Sequence, residues 1–208
     1  MSYVIFSMQR SGTTTLCRDL NRLKMNCLYE LFNWGENNAG HKWGQQLNVS
    51  AEQAELSPME YVSRVLRAEN ASRPLGQHIA QIDSMGGPTR VQCQSGFKLF
   101  PGHAIQPQAA AKLATTCIIY RRQNVSAQYL SLKRARTYGC WGTRPEEQRN
   151  CRQKEPLPIG DDFEEYKRMY TDWYLLVEKA CAGRTIVQWT TEGYLTQVRS
   201  VLEIMSLV

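Results

Sequence analysis

Residues 7–16, Ser7-Met8-Gln9-Arg10-Ser11-Gly12-Thr13-Thr14-Thr15-Leu16, hold the chain's densest set of groups able to do chemistry. Arg10 brings a permanent charge in a bidentate fork, three threonines bring hydroxyl donors, and Gly12 lets backbone come close to a ligand. Such a set suits an anion, and a phosphate best. It works only if an element aims it. Tyr3 to Phe6 is a short apolar run of β-formers, the mark of a buried parallel strand. Leu16, Leu20 and Leu23 then recur with a helical period, which predicts a helix from near Thr13. The first turn of such a helix has unpaired N–H groups at the positive end of its dipole. A plain strand–turn–helix with a threonine-rich cap fits the same residues. The loop is not a Walker A motif: it has one glycine and no lysine, and no later apolar run ends in an aspartate placed for magnesium.

A second candidate lies further on. Thr115-Thr116-Cys117-Ile118-Ile119-Tyr120 reads as the best central strand, and it runs into a helix extending to about Arg136. Arg122, Asn124, Gln128, Ser131 and Lys133 therefore begin at the carboxyl edge of a sheet, the edge the first loop also occupies. Alone, this basic helix suits a solvated face or a nucleic-acid patch equally well. Paired with the first loop, it suits a ligand with phosphates at both ends.

The remaining elements follow from periodicity and punctuation. Ser57-Pro58-Met59-Glu60 is a capping box opening a helix with Met59, Val62 and Leu66 on its apolar face. Residues 35–50 read as a polar Gly/Asn-rich loop, and 72–95 as irregular with a Gly86-Gly87-Pro88 breaker. Gly96 to Pro101 predicts a short strand, Asp161-Asp162 caps a long helix ending at Gly183, and Thr185 to Trp189 another strand. The aromatics of the long helix, among them Tyr166, Tyr170 and Trp173, are read as core. A last helix is expected from about Leu195. Strands alternating with helices imply an α/β fold: a three-layer, P-loop-like parallel sheet flanked by helices.

The 208 residues suit one domain, and 42% hydrophobic with 21% charged residues is a globular composition. No apolar run reaches the roughly 20 residues of a membrane span, and no signal peptide is read at the start. The net charge of +6 favours anionic ligands. Seven cysteines without a C-x-x-C pair point to reduced thiols and a cytoplasmic location, although Cys140 and Cys151 lie close enough in sequence to pair in an oxidising compartment. Three formal sequons, at Asn48, Asn70 and Asn124, accompany this; a glycan on the third would obstruct the second anion segment. His41, His78 and the cysteines lack metal-ligand spacing, so no metal site is expected.

Four motifs together resemble a known family. Residues 7–16 resemble the 5′-phosphosulfate loop of sulfotransferases that use 3′-phosphoadenosine-5′-phosphosulfate (PAPS). Tyr120 to Ala135 resembles their 3′-phosphate segment, with Arg122 and Ser131 as the matching arginine and serine. Glu30-Leu31-Phe32 and Gly96-Phe97-Lys98-Leu99 match two further motifs of bacterial carbohydrate and glycolipid sulfotransferases, such as those acting on trehalose and nodulation factors. The likeness extends over nearly the whole chain, which makes 1–208 a single sulfotransferase domain. Thr190-Thr191-Glu192-Gly193-Tyr194-Leu195 departs from the family's Tyr-Glu-Asp-Leu-like run, which leaves the adenine contact open.

The resemblance implies sulfuryl transfer to an acceptor hydroxyl, with 3′-phosphoadenosine-5′-phosphate released. Arg10 and the N–H groups of Ser11, Gly12, Thr13, Thr14 and Thr15 would meet the phosphosulfate, and Arg122 with Ser131 the 3′-phosphate. Glu30 is the base by family match, with His103, just past a strand end, as the alternative. Lys98 either supports the sulfuryl oxygens or pairs with a carboxylate. The acceptor is expected to be a small molecule or carbohydrate, with no nucleic acid. Two other classes stay open: a P-loop phosphotransferase, and a nucleic-acid-binding protein using Arg121, Arg122, Lys133, Arg134 and Arg136.

Overall fold

Val4 and Phe6 face one side of their strand and Tyr3 and Ile5 the other, and all four are fully buried, so that strand needs cover on both faces. In a computed structural model, which describes residues 2–22, 25–36, 38–71, 78–82, 88–92, 95–141, 149–151 and 153–194, it has that cover. The strand β1 (Ser2–Ser7) is the middle of a five-stranded sheet, followed in the chain by helix α1 (Thr13–Arg22). Strands β2 (Asn26–Cys27), β5 (Ser95–Leu99), β6 (Thr116–Arg121) and β7 (Thr185–Thr190) complete it in the order β2-β5-β1-β6-β7, every pair parallel. The further helices among the described residues include α2 (Ala39–Leu47), α3 (Ala51–Leu56), α4 (Pro58–Ala71), α5 (Pro107–Lys112), α6 (Val125–Tyr138), α7 (Phe163–Ala180) and a single turn, α8 (Thr191–Gly193). This is the three-layer α/β arrangement expected from the alternation of elements.

The two faces have separate cores. Val4, Phe6, Cys117 and Ile119 pack with Val62 and Val65 of α4, Ala110 of α5, Leu132 of α6 and Val177 of α7. Tyr3, Ile5, Ile118 and Tyr120 pack with Leu16, Cys17 and Leu20 of α1 and with Tyr194. Tyr166 and Trp173 are core, as read, although Tyr170 also hydrogen-bonds to the sheet's edge.

Three expectations are corrected. The stretch read as a loop over 35–50 contains α2, and α3 follows it behind a Ser50–Gln53 capping box. Glycines disguise α2: a Cβ at Gly44 would lie 2.3 Å from the Trp34 ring, so the helix needs glycine there to pack closely. Within 72–95, strands β3 (His78–Ile82) and β4 (Pro88–Gln92) form an antiparallel pair outside the main sheet, with Pro88 in the first strand position that proline tolerates. The cysteines are not all reduced: Cys17 is bonded to Cys27 and Cys140 to Cys151, with Cα–Cα distances of 5.2 and 5.8 Å. Counting thiols could not reveal that α1 packs on β2 and so brings Cys17 to Cys27. Leu23 and the helix expected from Leu195 lie outside the described residues.

Candidate anion and acceptor site

The sheet order reverses between β1 and β6, since the chain leaves β1 towards β2 and leaves β6 towards β7. The two candidate anion segments follow these two strands, at the switch point where open α/β sheets bind ligands. A cavity of about 1070 Å³ opens there, lined by Arg10 to Thr15, Glu30, Arg122 and Ser131.

The first loop is shaped by two left-handed residues, Arg10 (φ 65) and Gly12 (φ 89). Thr15 N–H donates to Gly12 O at 3.0 Å, so it is not available to an anion. The N–H groups of Ser11, Gly12, Thr13 and Thr14 have no acceptor among the described residues, which leaves four donors at the start of a ten-residue helix. Ser7, buried at the strand end, hydrogen-bonds to the Ser11 hydroxyl and donates to Tyr120 O, joining β1, the loop and β6.

The second segment is joined to the first by side chains. Arg10 Nε donates to Ser131 Oγ at 3.1 Å, Arg122 NH1 reaches Arg10 O at 3.5 Å, and Gln128 Nε2 donates to Gln9 O at 2.8 Å. Burial, and then the nearby Arg122 charge, press the Arg10 guanidinium below its ordinary pKa. Strand alternation separates the adjacent arginines. Arg121 pairs with Glu178 and lies over the Tyr174 ring, while Arg122 lines the cavity. Tyr170 and Tyr174 of α7 donate to Arg122 O and Tyr120 O at 2.9 and 2.8 Å, which fixes the end of β6.

The N-terminus of α6 is already occupied. Glu192 accepts from Gln123 N–H at 3.0 Å and Asn124 N–H at 3.4 Å, and Asn124 Oδ1 accepts from Ala127 N–H at 2.8 Å. Burial alone would raise the Glu192 pKa, but these backbone donors hold it below the usual carboxylate range. Of this segment, the polar side chains of Arg122, Ser131 and Arg134 line the cavity.

Glu30 reaches the cavity from the opposite wall. Leu28 N–H donates to Gly96 O at 2.7 Å and Lys98 N–H to Tyr29 O at 2.8 Å, prolonging the β2–β5 pairing past Cys27. Tyr29 then turns at φ 59, and Glu30 Oε1 meets Lys98 Nζ at 2.9 Å. His103 is not among the cavity-lining residues. Its Nδ1 accepts from Phe100 N–H at 3.4 Å, and its ring lies against Phe32 and Phe100. Burial lowers its pKa, with Glu30 opposing and Lys98 reinforcing the shift.

Among the other lining residues, Thr191, Trp141 and Asn33 carried no sequence signal as site residues, and Arg134 carried one only for the nucleic-acid reading. Thr191 Oγ1 sits between Ser11 O and Arg121 O, closing the two loops together. Trp141, half exposed, accepts from Arg10 NH1 at its carbonyl at 3.2 Å, beside the Cys140–Cys151 bond. Arg134 lies one turn after Ser131. Asn33 Nδ2 donates to Glu30 Oε2 at 3.3 Å. Tyr194, in the segment that departs from the resembled pattern, is fully buried with its hydroxyl on Asp19 at 2.9 Å and does not line the cavity.

Among the described residues no group of three His, Cys, Asp or Glu side chains is placed to hold a metal ion. Nor, among them, is any helix long and apolar enough to cross a membrane. Comparison with models of known protein families and with curated proteins found no match.

Proposed function

We propose that this chain is a sulfotransferase that moves the sulfuryl group of PAPS to a hydroxyl of a carbohydrate or glycolipid. The observation that carries the reading is the Arg10–Ser131 hydrogen bond inside one cavity. It joins the loop suited to a 5′-phosphosulfate to the segment suited to a 3′-phosphate, with a carboxylate on the facing wall. The residues fit the donor's charges. Arg10 and the N–H groups of Ser11 to Thr14 would face the phosphosulfate, and Arg122 with the Ser131 hydroxyl the 3′-phosphate. A cavity near 1070 Å³ exceeds the usual range for one small ligand, about 300–1000 Å³, and has room for donor and acceptor together.

In the step proposed, the acceptor oxygen attacks sulfur in line. The bond from sulfur to the 5′-phosphate oxygen breaks, its electron pair stays on that phosphate, and Glu30 takes the acceptor proton. Arg10 and the loop donors stabilise charge gathering on the leaving phosphate, so positioning and electrostatics supply most of the rate. Glu30 suits the base better than His103, because it lines the cavity while His103 Nδ1 already accepts a backbone N–H.

The nucleic-acid reading loses one of its charges, since Arg121 is paired with Glu178. The cytoplasmic location expected from the cysteine count loses its support with two disulfides bonded, and an oxidising compartment suits the chain better. The test is transfer of labelled sulfate from PAPS to a panel of sugars, glycolipids and simple alcohols in the presence of EDTA. Transfer that survives chelation is expected. Turnover that vanishes with EDTA and returns with magnesium favours the phosphotransferase reading instead.

A further inference from the structure

Lys98 lies inside the sheet, its side chain 1% exposed, and does not line the cavity. Its Nζ is 2.9 Å from Glu30 Oε1 and 5.4 Å from the ring centroids of Tyr29 and Phe100. A buried ammonium is costly to desolvate, and an apolar side chain of the same length would fill the space without that cost. Burial accordingly lowers the Lys98 pKa, and the Glu30 carboxylate acts against the shift. The charge has one ion-pair partner among the described residues, and that partner lines the cavity with 27% of its side chain exposed. Asn33 holds the second oxygen of the same carboxylate. Glu30 is thus gripped at both oxygens, from beneath by a strand and from the side by the turn that carries it.

We propose that Lys98 is a positioning residue, which holds the Glu30 carboxylate in one orientation at the cavity wall so that it meets the acceptor hydroxyl. This rests on the reading that Glu30 takes the acceptor proton. A base held loosely loses alignment, and a misplacement near 1 Å costs on the order of 100-fold in rate. Lys98 acts only through Glu30, so its removal lowers kcat and leaves nucleotide affinity alone.

The test measures kcat, KM for PAPS and acceptor, affinity for 3′-phosphoadenosine-5′-phosphate and thermal midpoint in Lys98→Met, Glu30→Gln and the double variant. Lys98→Met is expected to fold with a midpoint no lower than wild type, because Glu30 then turns to solvent. It should bind the nucleotide within about twofold, with kcat down about 10- to 100-fold. Added to Glu30→Gln, it should lower kcat by less than about twofold, since residues acting as one unit are not additive. Wild-type kcat in folded Lys98→Met, or losses that multiply in the double variant, overturns the proposal. Lys98→Gln carries the same expectations if the methionine variant does not fold, and unfolding of both makes the role purely structural and also overturns it. Glu30→Gln at the wild-type rate removes the base assignment itself; Glu30→Gln impaired beside normal Lys98→Met removes only the role of Lys98.

Discussion

Arg10 is where the candidate anion segments meet: one guanidinium touches Ser131 and Trp141, and its own carbonyl is within reach of Arg122. Two half-buried arginines at this spacing repel each other, and an anion between them relieves the repulsion. The chemistry proposed for the opposite wall is open to a one-atom test. Glu30→Gln keeps shape and hydrogen bonding but removes the basic oxygen, and turnover should fall about 10²- to 10⁴-fold. Calorimetry on the same variant should find nucleotide affinity nearly unchanged, because the contacts of Glu30 are with Lys98 and Asn33 and not with either anion segment. His103→Gln should lose less activity, since its imidazole is occupied by Phe100 N–H and stands behind the cavity wall. A dead His103→Gln beside a wild-type Glu30→Gln would reverse the assignment.

At the scale of elements, two glycines separate site from scaffold. Gly12 sits at φ 89 with an added Cβ 3.3 Å from Thr191 Cγ2, in the loop that Thr191 clasps. Gly12→Ala should cost roughly 1–2 kcal/mol of stability and weaken nucleotide binding with it. Gly44→Ala should cost about 1–3 kcal/mol through the Trp34 clash, yet leave nucleotide affinity intact. Denaturant unfolding and calorimetry on both variants separate the two effects; equal losses of affinity would put α2 in the site. The same contrast explains what could be read in advance. β1 and β6 are short apolar runs of β-formers, α1 and α7 carry a helical apolar period, and each was legible. α2 was hidden by glycines whose value lies in contact with Trp34, a tertiary fact absent from local pattern. Most residues expected in the site line one cavity, because the motifs that carry them end strands that become neighbours. Thr191 and Trp141 were illegible for the opposite reason: their parts depend on loops returning to Ser11 and Arg10 from 180 and 131 residues away.

For the whole molecule, a net charge of +6 and a cationic cavity at the sheet's switch point favour a polyanionic small ligand. The disulfides make a separate, countable claim. With Cys17–Cys27 and Cys140–Cys151 bonded, thiol titration of the unfolded, unreduced chain should find Cys117 and Cys181 reactive and those four cysteines silent. Reaction at all seven cysteines would restore the reduced, cytoplasmic reading. The central claim is that one cavity grips both phosphate ends of a single nucleotide, and calorimetric titration with 3′-phosphoadenosine-5′-phosphate and with AMP tests it most directly. Each charge-assisted contact to the 3′-phosphate is worth about 1.5–3 kcal/mol, so the bisphosphate should bind at least about 10-fold tighter than AMP. Ser131→Ala and Arg122→Gln should each narrow that gap. Equal affinity of the wild-type chain for the two nucleotides would contradict the account.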